Sequence, residues 1–157
     1  MQPVEGALGY AGVGDDVVAD ELQARIVAFV RAFGLHKPDE TPCGAPIPVS
    51  EAHALAVLTE HGPLVQTDLA RHLGLTKSTV SRLVDQLAKR GWVQRRPGAD
   101  DARRRLVELT GQGATVAADV AGRRSARLAR LLERIPEAER PAVLAALDAL
   151  VEAARAE

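Results

Sequence analysis

Apolar residues recur along the chain at two spacings, and these divide it into elements. Val18, Leu22, Ile26, Phe29, Val30 and Phe33 fall three or four apart. That repeat marks a helix face and predicts a helix over 15–33, ended by Gly34. Asp15, Asp16, Asp20 and Glu21 crowd its first half, where the helix dipole favours negative charge. The stretch "LHKPDETPCGAPIP" then carries four prolines. It reads as an ordered loop or a linker, neither helix nor central strand. Ser50 is expected to cap a helix reaching about His61, with Leu55 and Leu58 inward, and "HGPL" to form a turn. A short helix over 67–73 follows, with Leu69, Ala70 and Leu73 inward. Gly74 breaks it, and a further helix runs from a cap at Thr76 to a stop at Gly91. Its buried stripe is Val80, Leu83, Val84, Leu87 and Ala88. Two helices joined by such a turn form a helix-turn-helix.

After Gly91 the pattern changes. "WVQRR" and "RRRLVELT" read as strands joined by the turn "PGAD", a hairpin that serves as a wing. Trp92 is expected to plug the space beneath it. Thr110 caps a helix to about residue 132. Pro136 and Pro141 punctuate a last helix ending near 154, with Leu144, Leu147, Leu150 and Val151 at helical spacing. The expected fold is mainly α with a small β-hairpin wing.

Composition changes this picture little. Aromatic residues are 3% of the chain, so the core must be Leu, Val and Ala. The single cysteine, Cys43, allows no internal disulfide and no CxxC metal framework. No apolar run approaches the roughly 18 residues of a membrane helix, and no secretory signal is visible. The expected compartment is the cytoplasm, with no membrane partner. Gly-rich phosphate loops, GxSxG and HExxH are absent, so no enzyme and no cofactor are expected.

Charge is more telling. The net charge is −1, but residues 71–105 hold ten basic and three acidic residues, a local +7 inside an acidic-to-neutral chain. Such asymmetry speaks of partners rather than fold. The polar side of the 76–89 helix offers Thr76, Lys77, Ser78, Thr79, Ser81, Arg82 and Gln86. Hydroxyls donate and accept, arginine grips guanine through two bonds, and a helix fits the major groove. The expected partner is double-stranded DNA. Arg95, Arg96, Arg103, Arg104 and Arg105 make the hairpin tip cationic and suited to a narrow minor groove. Asp101, two residues before Arg103, is expected to orient its guanidinium from the same strand face. The alternative is a winged-helix protein-interaction module without DNA binding, which the local +7 disfavours.

The segments "SEAHALAVL", "TKSTVSRLVDQLAKRGWVQR" and "DDARRRLVELTGQG" resemble the MarR family of winged helix-turn-helix transcriptional regulators. The telling residues are Asp101, Arg103, Leu109, Thr110 and Gly113. The resemblance covers roughly residues 15–155. It implies a homodimer whose first and last two helices intertwine, a recognition helix at 76–89, and Arg103 in the minor groove. Many members lose DNA affinity when a phenolic ligand, metal or oxidant binds, so a small-molecule effector is expected. The division is then a flexible tail at 1–14, a dimerisation helix and Pro-rich loop at 15–48, the winged helix at 49–109, and dimerisation helices at 110–157. Apolar residues on more than one face of the first helix, and the Ala/Leu runs of the last, support the dimer independently. Two symmetric reading heads would need a pseudo-palindromic operator. The regulator is expected to be a repressor.

The Pro-rich insert departs from the family pattern. Cys43 is a candidate oxidation sensor. His36, Cys43 and His53, near Glu51, form a weak candidate metal set with irregular spacing. The plain alternative is a structural loop with an incidental thiol.

Overall fold

The structure, a computed structural model, describes residues 12–99, 101 and 103–156. Most of the proposed tail, with Tyr10, lies outside the described residues. Residues 12–14 already belong to helix α1, Gly12–Phe33, which therefore starts three residues earlier than expected. Gly34 ends it with φ +92°.

Next comes the Pro-rich loop, which is structural. Thr41 is its hub. Its N–H donates to the Ala45 carbonyl at 2.9 Å, and its Oγ1 accepts from Ala45 N at 3.0 Å. These bonds turn Ala45 and Ile47 into the core, where both are buried. Helix α2, Val49–His61, starts after Pro48, and no side chain caps it. The expected Ser50 cap is therefore wrong: Ser50 is already inside the first turn. Proline pre-sets the backbone there, and the first-turn N–H groups of a helix need no intrahelical partner.

The "HGPL" turn is shorter than expected, because Leu64–Val65 form a strand, β1, of two residues. Helices α3, Gln66–Leu73, and α4, Lys77–Lys89, follow, joined at Gly74, which sits in the left-handed region at φ +63°. Strands β2, Val93–Pro97, and β3, Arg105–Leu109, form the wing. β3 is central, antiparallel to both neighbours, with Leu64 opposite Val107 and Arg95 opposite Val107 on the other side. Helix α5, Gly111–Glu133, leads through a 3₁₀ turn, Glu137–Glu139, to α6, Arg140–Arg155, with Pro141 in its first turn. The fold is mainly α with one small antiparallel sheet.

The core joins the loop, α2, α3, α4, the sheet and the first half of α5. Leu55, Leu69, Val80, Val84, Leu87 and Val107 are fully enclosed. The inward stripes of α3 and α4 meet here, as their spacing requires. The root of the wing is locked onto α5. Thr110 Oγ1 donates to the Gly91 carbonyl at 2.6 Å and accepts from Gly113 N at 3.0 Å. Thr110 N donates to the Trp92 carbonyl at 3.0 Å. Gly113 is required for this approach, since a Cβ there would lie 1.8 Å from the Trp92 carbonyl oxygen.

Candidate nucleic-acid interface

Helix α4 exposes the residues its pattern promised. Val80, Leu83, Val84 and Leu87 are buried. Lys77, Ser78, Thr79, Arg82, Gln86 and Lys89 are exposed, and Ser81 is half-buried. Thr76 has a structural duty: its Oγ1 accepts from Thr79 N at 3.3 Å and caps the helix. The Thr76 and Thr79 hydroxyls are 2.9 Å apart, so these two form a local pair as well as a polar surface. The first turn of α4 carries no acidic residue.

The wing departs from expectation. Arg95 and Arg96 do not lie at its tip. They are mid-strand, opposite Val107 and Leu106, and both are held by carboxylates. Arg95 Nη2 donates to Asp85 Oδ1 at 2.6 Å, and its Nε donates to Gln66 Oε1 at 3.3 Å. Arg95 thereby ties β2 to α4 and to the start of α3. Arg96 Nε donates to Glu108 across the hairpin, and Gln94 bonds the same carboxylate at 2.9 Å. These bonds from Arg96 and Gln94 hold the Glu108 carboxyl below its ordinary range.

Asp101 supports the wing by another route than expected. Its Oδ1 accepts from the Arg103 backbone N–H at 2.9 Å, not from the guanidinium. Its carbonyl accepts from Arg104 N at 3.0 Å, and Gly98 N donates to the Arg104 carbonyl at 2.8 Å. These residues shape a turn, so the same-face rule for strands does not apply. Asp100, part of that expected turn, lies outside the described residues. Arg103, Arg104 and Arg105 are exposed, and no carboxylate pairs with them among the described residues.

The local +7 thus splits into two sets. Arg71, Arg90, Arg95 and Arg96 are paired with Asp68, Glu51, Asp85 and Glu108. Lys77, Arg82 and Lys89 on α4, with Arg103, Arg104 and Arg105 on the wing, stay available. Sequence reasoning missed Gln66 and Asp85 as supports for the wing, and Glu51 as a support for α4. Glu51 is a buried carboxylate whose Oε2 lies 3.3 Å from Arg90 Nε, outside hydrogen-bond alignment. Burial pushes its carboxyl up, and the Arg90 charge opposes this in part. Arg90 in turn stacks 4.8 Å above the Trp92 ring, which packs against the core as expected.

The weak metal set does not assemble. Among the described residues, no three His, Cys, Asp or Glu side chains cluster as metal ligands. Glu51 is committed to Arg90, and His53 is exposed on α2. Cys43 is half-buried, 2.9 Å from Thr41 Oγ1. It borders an apolar cleft of about 180 Å³ between the ends of α1 and the loop, α2 and α5, rimmed by Arg124 and Arg127.

This arrangement of helices and wing has known counterparts. The sequence profile of the MarR family matches residues 45–104. The winged helix is similar to that of the MarR family. An uncharacterized HTH-type transcriptional regulator of Bacillus subtilis, YfiV, is 31% identical over 96 residues, covering 61% of this chain and 60% of YfiV. The HTH-type transcriptional repressor NicR of Pseudomonas putida is 36% identical over 62 residues, 40% of this chain and 39% of its own. The matched parts therefore span less than two thirds of these relatives. RV1404 from Mycobacterium tuberculosis superposes with a TM-score of 0.63 at 29% identity, over 88% of this chain and 92% of its own. The agreement extends beyond the MarR-family segment to the flanking helices. Among the described residues no helix is long and apolar enough to cross a membrane.

Proposed function

We propose that this chain is a sequence-specific double-stranded DNA-binding transcriptional regulator, a repressor that acts as a homodimer on a pseudo-palindromic operator. One observation carries the reading: Lys77, Arg82, Lys89, Arg103, Arg104 and Arg105 are exposed and have no carboxylate partner among the described residues, while Asp85, Asp101 and Glu108 are spent on positioning. A helix edged with cations and hydroxyls suits a groove lined by phosphates. Ser81, Arg82 and Gln86 are the base readers, and Arg103 is the minor-groove contact. The family is one of regulators and not of enzymes, and NicR is named a repressor.

Exposed Val18, Leu22, Ile26, Leu144, Leu147 and Val151 support the homodimer. The apolar cleft beside Cys43, with its two arginines, is where a small effector would act, and Cys43 is where an oxidant would. If so, operator affinity of the wild type falls on peroxide treatment and that of Cys43→Ser does not.

The direct test is equilibrium binding of the protein to genomic duplex fragments across a salt series. The wild type should prefer particular fragments. Arg103→Ala should weaken all of them and flatten the log–log salt slope by about 0.9 per lost phosphate contact. Ser81→Ala or Arg82→Ala should relax the preference at particular bases, by about 1–3 kcal/mol each. Absence of any fragment preference overturns the reading.

A further inference from the structure

We infer that Glu51 is a positioning residue for DNA reading: through Arg90 it fixes how the C-terminal end of α4 sits against α2. This rests on the DNA-binding function proposed above and names a buried residue that sets its fidelity. Glu51 lies in the first turn of α2 and is 2% exposed. Its Oε2 has no hydrogen-bond partner, and Arg90 Nε stands 3.3 Å from it. A buried carboxylate left short of hydrogen bonds opposes folding, and an apolar side chain of similar volume would fill the same space without that cost. What the carboxylate adds is direction, since it draws one guanidinium to one place.

That place is where α4 ends. Arg90 N donates to the Gln86 carbonyl at 3.1 Å, and Gly91, at φ +74°, turns the chain toward β2. The Arg90 guanidinium lies 4.8 Å from the centre of the Trp92 ring, and Trp92 N donates to the Leu87 carbonyl at 3.0 Å. One side chain is thus held between a charge on α2 and a ring at the entry to β2. The rest of α4 is anchored differently. Thr76 caps its start, and Val80, Leu83, Val84 and Leu87 form its buried stripe. Apolar attraction has no direction, so the stripe holds α4 down without fixing its rotation as an ion pair does. Arg82 and Gln86, proposed above as base readers, lie within about two turns of Arg90. A small rotation at Arg90 therefore displaces both.

The test compares full-length wild type, Glu51→Gln and the double variant Glu51→Gln/Arg90→Gln, which leaves no buried carboxylate unpaired. Circular dichroism is the folding control. Each protein is titrated with a duplex that the wild type prefers and with one that it does not, across a salt series. Trp92 is the chain's single tryptophan, so its emission reports the Arg90 stack directly. Glu51→Gln should shift that emission and lower the preference between the two duplexes about tenfold. Its salt slope should match the wild type, because no phosphate contact is lost. The double variant should lose no more preference than Glu51→Gln, since the two residues act as one unit. Emission and preference like the wild type in folded Glu51→Gln overturn the inference while leaving the DNA reading standing. So does tighter binding of both duplexes with a steeper slope, which would make Arg90 a phosphate contact muted by Glu51. A wild type with no preference among duplexes overturns the DNA reading and this inference together.

Discussion

The winged-helix lobe and the helical arms treat their apolar residues in opposite ways. The lobe encloses its own: the buried apolar side chains run from Ala45 to Val120, and several are fully inaccessible. The arms enclose almost none. Val18 on α1 is 65% exposed and Leu144 on α6 is 58% exposed, though both sit in clean helical repeats. Amphipathic spacing therefore marks two different situations in one chain. In the lobe it marks a core completed within the chain. In the arms it marks an apolar face that the chain itself leaves exposed.

Substituting one leucine in each region should separate these cases most sharply. Leu55 is fully enclosed, so Leu55→Ala should cost about 2–5 kcal/mol through lost transfer energy and the cavity left behind. The fall in denaturation midpoint should be the same at every protein concentration. Leu147 is about half exposed. Leu147→Ala should act through self-association, lowering the midpoint in dilute solution and little in concentrated solution. A concentration-independent loss for Leu147→Ala would mean that α6 is covered within its own chain, and the contrast between the regions would fail.

The seam between the regions comes next in size. α5 starts in the lobe and ends in the arms, and its first turn lies against Trp92 at Gly113. Gly113→Ala drives a methyl into that carbonyl. Relaxation of the wing root should leave a cost of about 1–3 kcal/mol. Because Trp92 moves with β2, DNA affinity should fall by more than the stability loss alone accounts for. Unchanged stability would show that the seam gives way freely.

Much of this fold was legible beforehand, and the gaps have physical causes. Helices α3 and α4 were readable because each has a narrow apolar stripe and a glycine or threonine at its ends. Strand β1 was not, since Leu64 and Val65 are too few to show alternation. The cationic surface was legible as charge but not as geometry. Asp85 reads as one more polar residue on α4 until the hairpin folds back and sets Arg95 against it. Glu51 reads as a solvated first-turn acid, yet it is enclosed beneath Arg90. A local pattern gives the face a residue occupies, whereas its partner comes from elements distant in sequence. For α1 the limit is deeper, because its repeat is the same whichever chain covers it.

Glu51 gives the lobe a pH dependence of its own. Its carboxyl is raised from the ordinary 4.5 by burial, with Arg90 opposing. Stability from such a group is fully present below the unfolded value and is lost as pH rises through the folded one. Glu108 runs the other way: its lowered carboxyl contributes stability above the ordinary value, lost as pH falls through the folded one. Glu51→Gln removes only the first contribution. Relative to wild type, the variant should gain stability as pH rises above the ordinary carboxylate value, read as a growing difference in urea midpoint. A difference that does not change with pH would place the titration elsewhere.

The smallest effect concerns the bridge between the wing and α4. The Arg95–Asp85 pair is partly exposed, so Arg95→Ala and Asp85→Ala should each change stability by no more than about 1 kcal/mol. Their influence on DNA should differ from that of a phosphate contact. Arg95→Ala frees the Asp85 carboxylate on α4, whereas Asp85→Ala frees a cation on the wing. If Arg95 acts by holding β2 against α4, both single variants lose operator preference, and the exchange Arg95→Asp with Asp85→Arg recovers part of it. If Arg95 instead meets phosphate, Asp85→Ala binds all duplexes more tightly, with a steeper salt dependence. That outcome would return Arg95 to the set of DNA-contacting cations and leave the angle of the wing to the backbone ladder alone.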